Sequence, residues 1–99
     1  MEEKFIFSLR AQEEFKEAVR WYEESRSGLG KDLEKEVWIK IDYIIKHPNR
    51  YPLSKGNYRE TLINKFPYLI VYRYNKLKQQ ITIASIFHTS RNPKNKYRK

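Results

Sequence analysis

The chain has 99 residues, 39% of them hydrophobic and 15% aromatic, with 21 Lys/Arg against 12 Asp/Glu and a formal net charge of +9. This length allows one domain with one modest core. The absence of Cys excludes disulfides and thiolate sites, and two histidines, His47 and His88, are too few for a His-based zinc site. No apolar run approaches the roughly 18 residues of a membrane span, and the acidic N-terminus lacks the bases of a signal peptide. We therefore expect a cytoplasmic protein without a metal, a cofactor, a small-molecule substrate or a membrane contact.

The charge is divided unevenly along the chain. Residues 1–49 hold nine Lys/Arg and eleven Asp/Glu, a net −2, whereas residues 50–99 hold twelve Lys/Arg and one acid, Glu60, a net +11. A half-chain with one carboxylate presents a strong positive field. Such a field attracts nucleic acid, an acidic segment of a partner protein or, as the least favoured of the three, a membrane surface. A basic surface that serves only solubility is the alternative.

The first half of the chain predicts a strand followed by two helices. Residues 3–8 alternate like a short strand, and Ser8 is a suitable N-cap for a helix to about Arg26. Gly28 and Gly30 indicate a tight connection. A second helix should end near Lys46, because Pro48 disfavours helical backbone in the residue before it. The apolar stripes of the two helices are Ala11, Phe15, Ala18, Val19 and Tyr22, then Leu33, Val37, Ile41, Ile44 and Ile45.

Two helices with so short a connection should form an antiparallel hairpin. We interpret the adjacent pairs Trp21/Tyr22 and Val37/Trp38 as core and hairpin packing rather than as a ligand cage. The acids of the first half lie almost entirely on these helices, where runs of charge are typical of a solvated face.

The second half of the chain predicts strands. Residues 47–57 contain two prolines and a glycine and predict a loop, whereas 58–65, 68–74 and 81–88 alternate like strands joined by short turns. Close spacing favours antiparallel neighbours with 68–74 in the centre. We therefore expect an α+β fold: a short N-terminal strand, an antiparallel two-helix hairpin, and a twisted antiparallel sheet of three further strands. Residues 1–99 form one domain, in which 89–99 is a basic C-terminal tail that we expect to be flexible without a partner.

Standard catalytic and cofactor motifs are missing from the sequence. The candidate functional residues are therefore basic and aromatic, and such residues suit phosphate contacts, base stacking and charge stabilisation in phosphoryl transfer. We expect them to gather on one face of the sheet, opposite the helices. They are Arg59, Lys65, Arg73, His88, Arg91, Lys94, Lys96, Tyr97, Arg98 and Lys99.

Four of these residues are candidates for catalysis of RNA cleavage. His88 or Tyr97 would transfer protons, and Arg59 and Arg91 would hold the phosphoryl charge. The alternative for His88 is a packed residue that closes the sheet, and Arg91 would then bond a carbonyl or lie in solvent. The spacing alone does not show that the four residues converge. Nucleic-acid or target binding is predicted for Lys65, Arg73, Lys94, Lys96 and Arg98.

Several short motifs occur in an order that resembles the RelE/ParE-type toxins of bacterial type II toxin–antitoxin (plasmid-stabilisation) systems. They are WYEE at 21–24, GLG at 28–30, P-x-x-YP at 48–52, Arg59, FPYLIVYR at 66–73 and H-x-x-R-x-P at 88–93. The resemblance spans nearly the whole chain. It implies the same order of elements as the one predicted above, and a cognate antitoxin whose segment masks the active surface.

The resemblance also implies two alternative activities. RelE-like members cut mRNA in the ribosome, whereas ParE-like members inhibit DNA gyrase. Arg59 and the Arg91-to-Tyr97 spacing match the RelE pattern, but Thr61 and Leu69 stand where RelE has a lysine and an arginine. WYEE, FPY and H-x-x-R-x-P are more similar to the ParE branch, which we favour slightly. Outside the family, a basic nucleic-acid-binding module without toxicity is the remaining alternative.

Overall fold

The structure, a computed structural model, describes residues 4–92, Lys94 and Lys96. In chain order its elements are β1 (Lys4–Phe7), α1 (Leu9–Ser25), α2 (Leu29–Lys46), β2 (Leu53–Lys55), β3 (Tyr58–Leu62), β4 (Tyr68–Asn75) and β5 (Gln80–His88). Neither helix is long and apolar enough to cross a membrane within the described part of the chain.

The strands form one five-stranded mixed sheet in the order β1-β5-β4-β3-β2. β1 runs parallel to β5, and the other three pairings are antiparallel. The chain between these two parallel strands contains both helices and β2, β3 and β4, so it is far longer than the dozen or so residues that a parallel connection requires. The predicted α+β class, the two helices and the first strand are confirmed.

The sheet contains four strands after the helices, where the sequence predicted three. The additional strand is β2, which lies inside the predicted loop 47–57. Leu53 pairs with Arg59 and Lys55 with Tyr58, and Gly56 adopts a φ of +56° in the turn between them. A three-residue strand is too short to show an alternating pattern, and the neighbouring prolines and glycine favour a loop.

The helical hairpin is tighter than the predicted connection. Ser8 caps α1, because its hydroxyl accepts the backbone N–H of Ala11 at 3.1 Å. The chain turns at Gly28, whose φ of +95° is in the left-handed region that favours glycine. Gly30 lies inside α2 rather than in the connection. A Cβ atom at Gly30 would stand 2.8 Å from the carbonyl oxygen of Val19, so the missing side chain lets α1 and α2 approach.

The main core lies between the helices and one face of the sheet. The predicted stripes supply its helical side, and β4 and β5 supply most of its sheet side, through Ile70, Tyr72, Ile81, Ile83 and Ile86. We call the opposite face of the sheet the outer face. It carries Tyr58, Glu60, Val71, Arg73 and Phe87, because cross-strand partners share a face.

Candidate functional site

The unpaired edge of β5 is covered by a carboxylate from α1. β1 leaves the sheet at Ser8, so β5 has no strand beside it beyond Ile83. Glu14 fills this place: its Oε1 accepts the hydroxyl of Ser85 at 2.7 Å and the backbone N–H of Ile86 at 3.0 Å. An edge N–H that would otherwise remain without a partner is thereby satisfied.

Glu14 is also the centre of a charge network. Its Oε2 lies 3.3 Å from Nε of Arg10 and 3.7 Å from Nη1 of Arg91, and the side chain of Glu14 is only 14% exposed. The guanidinium of Arg91 stands 5.9 Å from the ring centre of Phe87. Arg91 is therefore fixed by an acid on one side and an aromatic ring on another, although half of its side chain remains in solvent.

A cleft of about 340 Å³ opens beside this network, between α1 and the end of β5. We call it the His88 cleft. Its wall includes Tyr22, Tyr68, His88, Ser90 and Arg91, with Glu14 and Glu17 on the helical side. Trp21 also lines it and is 61% exposed, so the interpretation of Trp21 as a core residue is wrong. The ring pairs with Tyr22 at 5.0 Å and contributes to the wall instead.

His88 is held in one orientation by the turn that follows β5. Its Nδ1 accepts the backbone N–H of Ser90 at 3.0 Å and lies 2.7 Å from the hydroxyl of Ser90. A neutral imidazole that accepts at Nδ1 carries its proton on Nε2. The ring also meets Tyr68 edge-on at 5.0 Å. His88 is thus arranged to donate a hydrogen bond from Nε2, and it would have to lose the contact with the backbone N–H of Ser90 to carry a proton on Nδ1, either as the other tautomer or as the imidazolium.

Tyr68 is a further titratable ring of the cleft, beside Tyr22 and His88, and is 8% exposed. Burial raises the pKa of Tyr68 above its usual 10.0, and the nearby Tyr22 and Glu17 raise this pKa further, whereas Arg91 opposes the shift. The phenol therefore remains protonated at neutral pH and has a hydroxyl that can donate a hydrogen bond.

Arg59 lies far from this cleft. Its guanidinium donates to the carbonyl oxygen of Tyr51 and, at 3.3 Å, to Oδ1 of Asn49, so it fastens the loop before β2. Arg59 pairs with Tyr72, and His88 pairs with Tyr68. Four residues along β4 and two strand spacings separate Arg59 from His88, which places their Cα atoms roughly 16 Å apart.

The loop under Arg59 is also anchored to the core. The hydroxyl of Tyr72 donates to the carbonyl oxygen of Pro48 at 3.0 Å. Burial raises the pKa of Tyr72 to about 12, while the positive charge of Arg59 acts in the opposite direction. Arg59 and Tyr72 therefore hold one loop in place from two directions.

The predicted binding residues are distributed over several surfaces. Lys65 lies on the helical side, with its Nζ 3.6 Å from Glu36 of α2. On the outer face, Nζ of Lys96 lies 3.0 Å from Oε1 of Glu60, and Arg73 stacks on the ring of Tyr58 at 5.4 Å. Lys94 is exposed, whereas Tyr97 and Arg98 lie outside the described residues.

The structure thus brings His88 and Arg91 together and does not bring Arg59 to them, and the latter-half cations do not share one face. The roles assigned to these residues stay predictions. Glu14 and Tyr68 were missed, because a carboxylate within a charged helix and a tyrosine within an apolar strand carry no sequence signal of a site. Among the described residues, no cluster of three or more His, Cys, Asp or Glu side chains is arranged to hold a metal ion.

Comparison with known proteins identifies the class of this fold. The family model described as the ParE toxin of a type II toxin–antitoxin system (parDE) matches residues 5–93. The chain therefore belongs to the ParE toxin family of type II toxin–antitoxin systems.

A solved structure agrees with this assignment at the level of the fold. It is titled the chromosomal ParDE toxin–antitoxin system from P. aeruginosa, and it is similar with a TM-score of 0.72 over 89% of this chain and 97% of that chain. The sequence identity is 12%, so the likeness concerns the fold alone. No curated protein shows significant similarity to the chain.

Proposed function

We propose that the protein is a toxin that arrests bacterial growth by inhibiting DNA gyrase in the cytoplasm, and that a cognate antitoxin neutralises it. Family membership over residues 5–93 is the observation that carries this proposal. The inhibition is ascribed to a protein-binding surface rather than to covalent chemistry.

The geometry of the predicted catalytic residues supports a binding mechanism. Efficient RNA cleavage requires a base, an acid and cations within hydrogen-bond reach of one phosphate. Arg59 is engaged by the Asn49–Tyr51 loop, and roughly 16 Å separates it from His88. An arginine used to hold a loop at that distance is poorly placed to share a substrate with the His88 cleft.

The charge division supports an acidic antitoxin segment. The half-chain 50–99 carries a net +11, and its only acid, Glu60, is already bound by Lys96. A negatively charged segment that wraps the sheet would meet attraction over most of this half, which increases both the association rate and the selectivity for the partner.

Inducible expression, with and without the short reading frame beside the gene, tests the toxin proposal. We expect growth to stop without the neighbouring product and to resume with it. Purified protein should then reduce DNA supercoiling by gyrase and trap DNA breaks. Normal growth of well-expressed, folded protein would refute toxicity, and full supercoiling with excess protein present would remove gyrase as the target.

Ribosome-dependent mRNA cleavage is the second candidate, and one observation favours it. His88, Arg91 and Tyr68 line the same cleft, and the ring of His88 is held with Nε2 as its hydrogen-bond donor. The test is sequencing of ribosome-bound mRNA during growth arrest by the wild type and by Arg91→Ala, with Arg50→Ala as the control for loss of one positive charge. Cleavage lost only in Arg91→Ala would support this activity. Intact mRNA during arrest would exclude it.

A further inference from the structure

A second concave site lies at the far end of the sheet, on the outer face, where the β4–β5 hairpin turns. Its volume is about 360 Å³, and six polar residues form most of its wall: Asn57, Arg73, Asn75, Lys76, Gln80 and Thr82. We call it the Arg73 pocket. It is separate from the His88 cleft, because Arg73 pairs with Thr82 near the start of β5, whereas His88 ends that strand.

Arg73 is held in place without being neutralised. Its guanidinium lies 5.4 Å from the ring centre of Tyr58 on the neighbouring strand. Its Nε is buried and has no hydrogen-bond partner, and Arg73 forms no ion pair with any residue that the structure describes. A buried donor without an acceptor is costly unless a ligand satisfies it.

The other polar groups of the pocket can each donate a hydrogen bond as well. Oδ1 of Asn75 already accepts the backbone N–H of Lys78 at 3.1 Å, so the amide of Asn75 has its NH₂ group left to offer. Lys76 adds a second positive charge, and none of the lining residues is acidic. Glu60, the only acid of the half-chain, is held by Lys96 and Ser54. Such a set of groups is suited to an oxyanion.

An apolar side chain beside the pocket indicates what carries the oxyanion. Leu77 is 98% exposed at the tip of the hairpin, between Lys76 and Lys78. Surfaces that bind a polynucleotide combine cations that meet the phosphates with side chains that contact bases or sugars, and leucine is among the apolar residues used in this way. An acidic peptide would use the same cations, and competition with a poly-glutamate peptide distinguishes the two ligands.

We infer that the Arg73 pocket binds a backbone phosphate of a polynucleotide strand. Arg73 contacts the phosphate oxygens, Asn75 and Lys76 complete the donor set, and Leu77 packs on the adjoining nucleotide. The inference goes beyond the proposed function and does not depend on which target the toxin has.

Two matched pairs of variants test this inference, and each variant lowers the net charge by one. Arg73→Gln removes the guanidinium from the pocket, and Arg50→Gln removes one that lies against Tyr43 of α2. Asn75→Asp keeps an acceptor for the N–H of Lys78 but adds a negative charge to the pocket, and Asn64→Asp adds it in an exposed loop. Circular dichroism checks that each variant is folded. If Arg73→Gln does not fold, the comparison of Asn75→Asp with Asn64→Asp tests the inference by itself.

The measurement is fluorescence anisotropy of short labelled oligonucleotides at low and moderate salt, with separate arms of single-stranded RNA, single-stranded DNA and duplex DNA. We expect Arg73→Gln and Asn75→Asp to weaken binding at least about tenfold and the two controls about twofold, because contacts to a charged group exceed diffuse attraction. The slope of log affinity against log salt concentration should become smaller by about one released counterion in Arg73→Gln. Inorganic phosphate should compete, which supports an oxyanion site.

Three results would overturn the inference. The first is a wild type that binds none of the oligonucleotides. The second is an equal loss of affinity in the pocket variants and in their controls, which means diffuse attraction without a site. The third is displacement by a poly-glutamate peptide at lower concentration than by an oligonucleotide of equal charge, which means that the pocket prefers carboxylates.

Discussion

Two carboxylates of α1 stabilise the fold through specific contacts, although the sequence indicated only a solvated helical face. Glu14 satisfies the edge of β5 and binds two arginines. In the last turn of α1, the carboxylate of Glu23 accepts the backbone N–H groups of Gly28 at 3.0 Å and Gly30 at 2.9 Å. It thereby closes the first turn of α2, where a free N–H group would otherwise face solvent.

Glu14→Ala should destabilise the protein by about 2–4 kcal/mol, because Ser85, which is fully buried, and the N–H of Ile86 lose their acceptor. Urea unfolding measures the change, and Glu13→Ala, an exposed neighbour on the same helix, is the control. An equal, small effect of both substitutions would mean that Glu14 contributes no more than a surface acid.

Glu23 predicts a pH dependence of stability. The backbone N–H groups of Gly28 and Gly30 hold the pKa of Glu23 below its usual 4.5. The folded state therefore favours the carboxylate, and this stabilisation is present above pH 4.5 and is lost as the pH falls through the lowered pKa. Glu23→Gln should have a lower Tm than the wild type at neutral pH, and the difference should shrink in acid. A difference that is constant with pH, or one reproduced by Glu24→Gln, would contradict this account.

At the scale of elements, the spacing of α1 and α2 is set by one missing side chain. Gly30 faces the backbone of α1, and a Cβ atom there would meet Val19 O at 2.8 Å and the side chain of Glu23 at 2.9 Å. The carbonyl oxygen is part of a helix and cannot turn aside. The hairpin thus brings α1 close enough for Glu23 to reach the start of α2.

Gly30→Ala should therefore destabilise the fold by about 1–2 kcal/mol. Alanine in a helix is intrinsically more favourable than glycine by about 0.5–1 kcal/mol, but overpacking against a helical backbone costs about 1–3 kcal/mol and outweighs that gain. Thermal unfolding shows whether Gly30→Ala raises or lowers the stability of the protein. Lys31→Ala, at an exposed position of the same helical turn, should change stability by less than about 0.5 kcal/mol. A stabilised Gly30→Ala variant would show that the helices can separate at little cost.

On the scale of the whole molecule, some cations of the basic half hold the fold together, and others remain able to bind a partner. Arg59 and Lys65 are engaged with the loop before β2 and with α2, respectively, while Arg73 has no acidic partner among the described residues. Lys96 crosses the outer face to Glu60, and its side chain is only 17% exposed. Net charge therefore overstates how much of the basic half is free to bind a polyanion.

Lys96→Gln should loosen the segment that follows β5. The ion pair with Glu60 is mostly buried and contributes about 1 kcal/mol, so tryptic cleavage after Arg91 should be roughly fivefold faster in the variant. Mass spectrometry identifies the cut, and Lys94→Gln, an exposed position nearby, should leave the rate unchanged. Equal rates in the wild type and in Lys96→Gln would mean that the pair does not restrain the segment.

The sequence by itself determined the elements whose signals are local. The cap at Ser8, the stop at Pro48 and the stripe from Leu33 to Ile44 each depend on residues within a few positions, and the structure confirms them. The ordered motifs likewise led to the family that the comparison then identified.

Only the tertiary structure decided the features that join distant parts of the chain. The contact between Glu14 and Ser85 spans 71 residues, and the parallel pairing of β1 with β5 joins residues that are still further apart, such as Lys4 and Gln80. No local pattern encodes which strand takes the edge or which helical acid covers it, because these outcomes depend on how whole elements pack. For the same reason, the separation of Arg59 from His88 follows from their positions on opposite sides of β4 and could not be read from their spacing in the sequence.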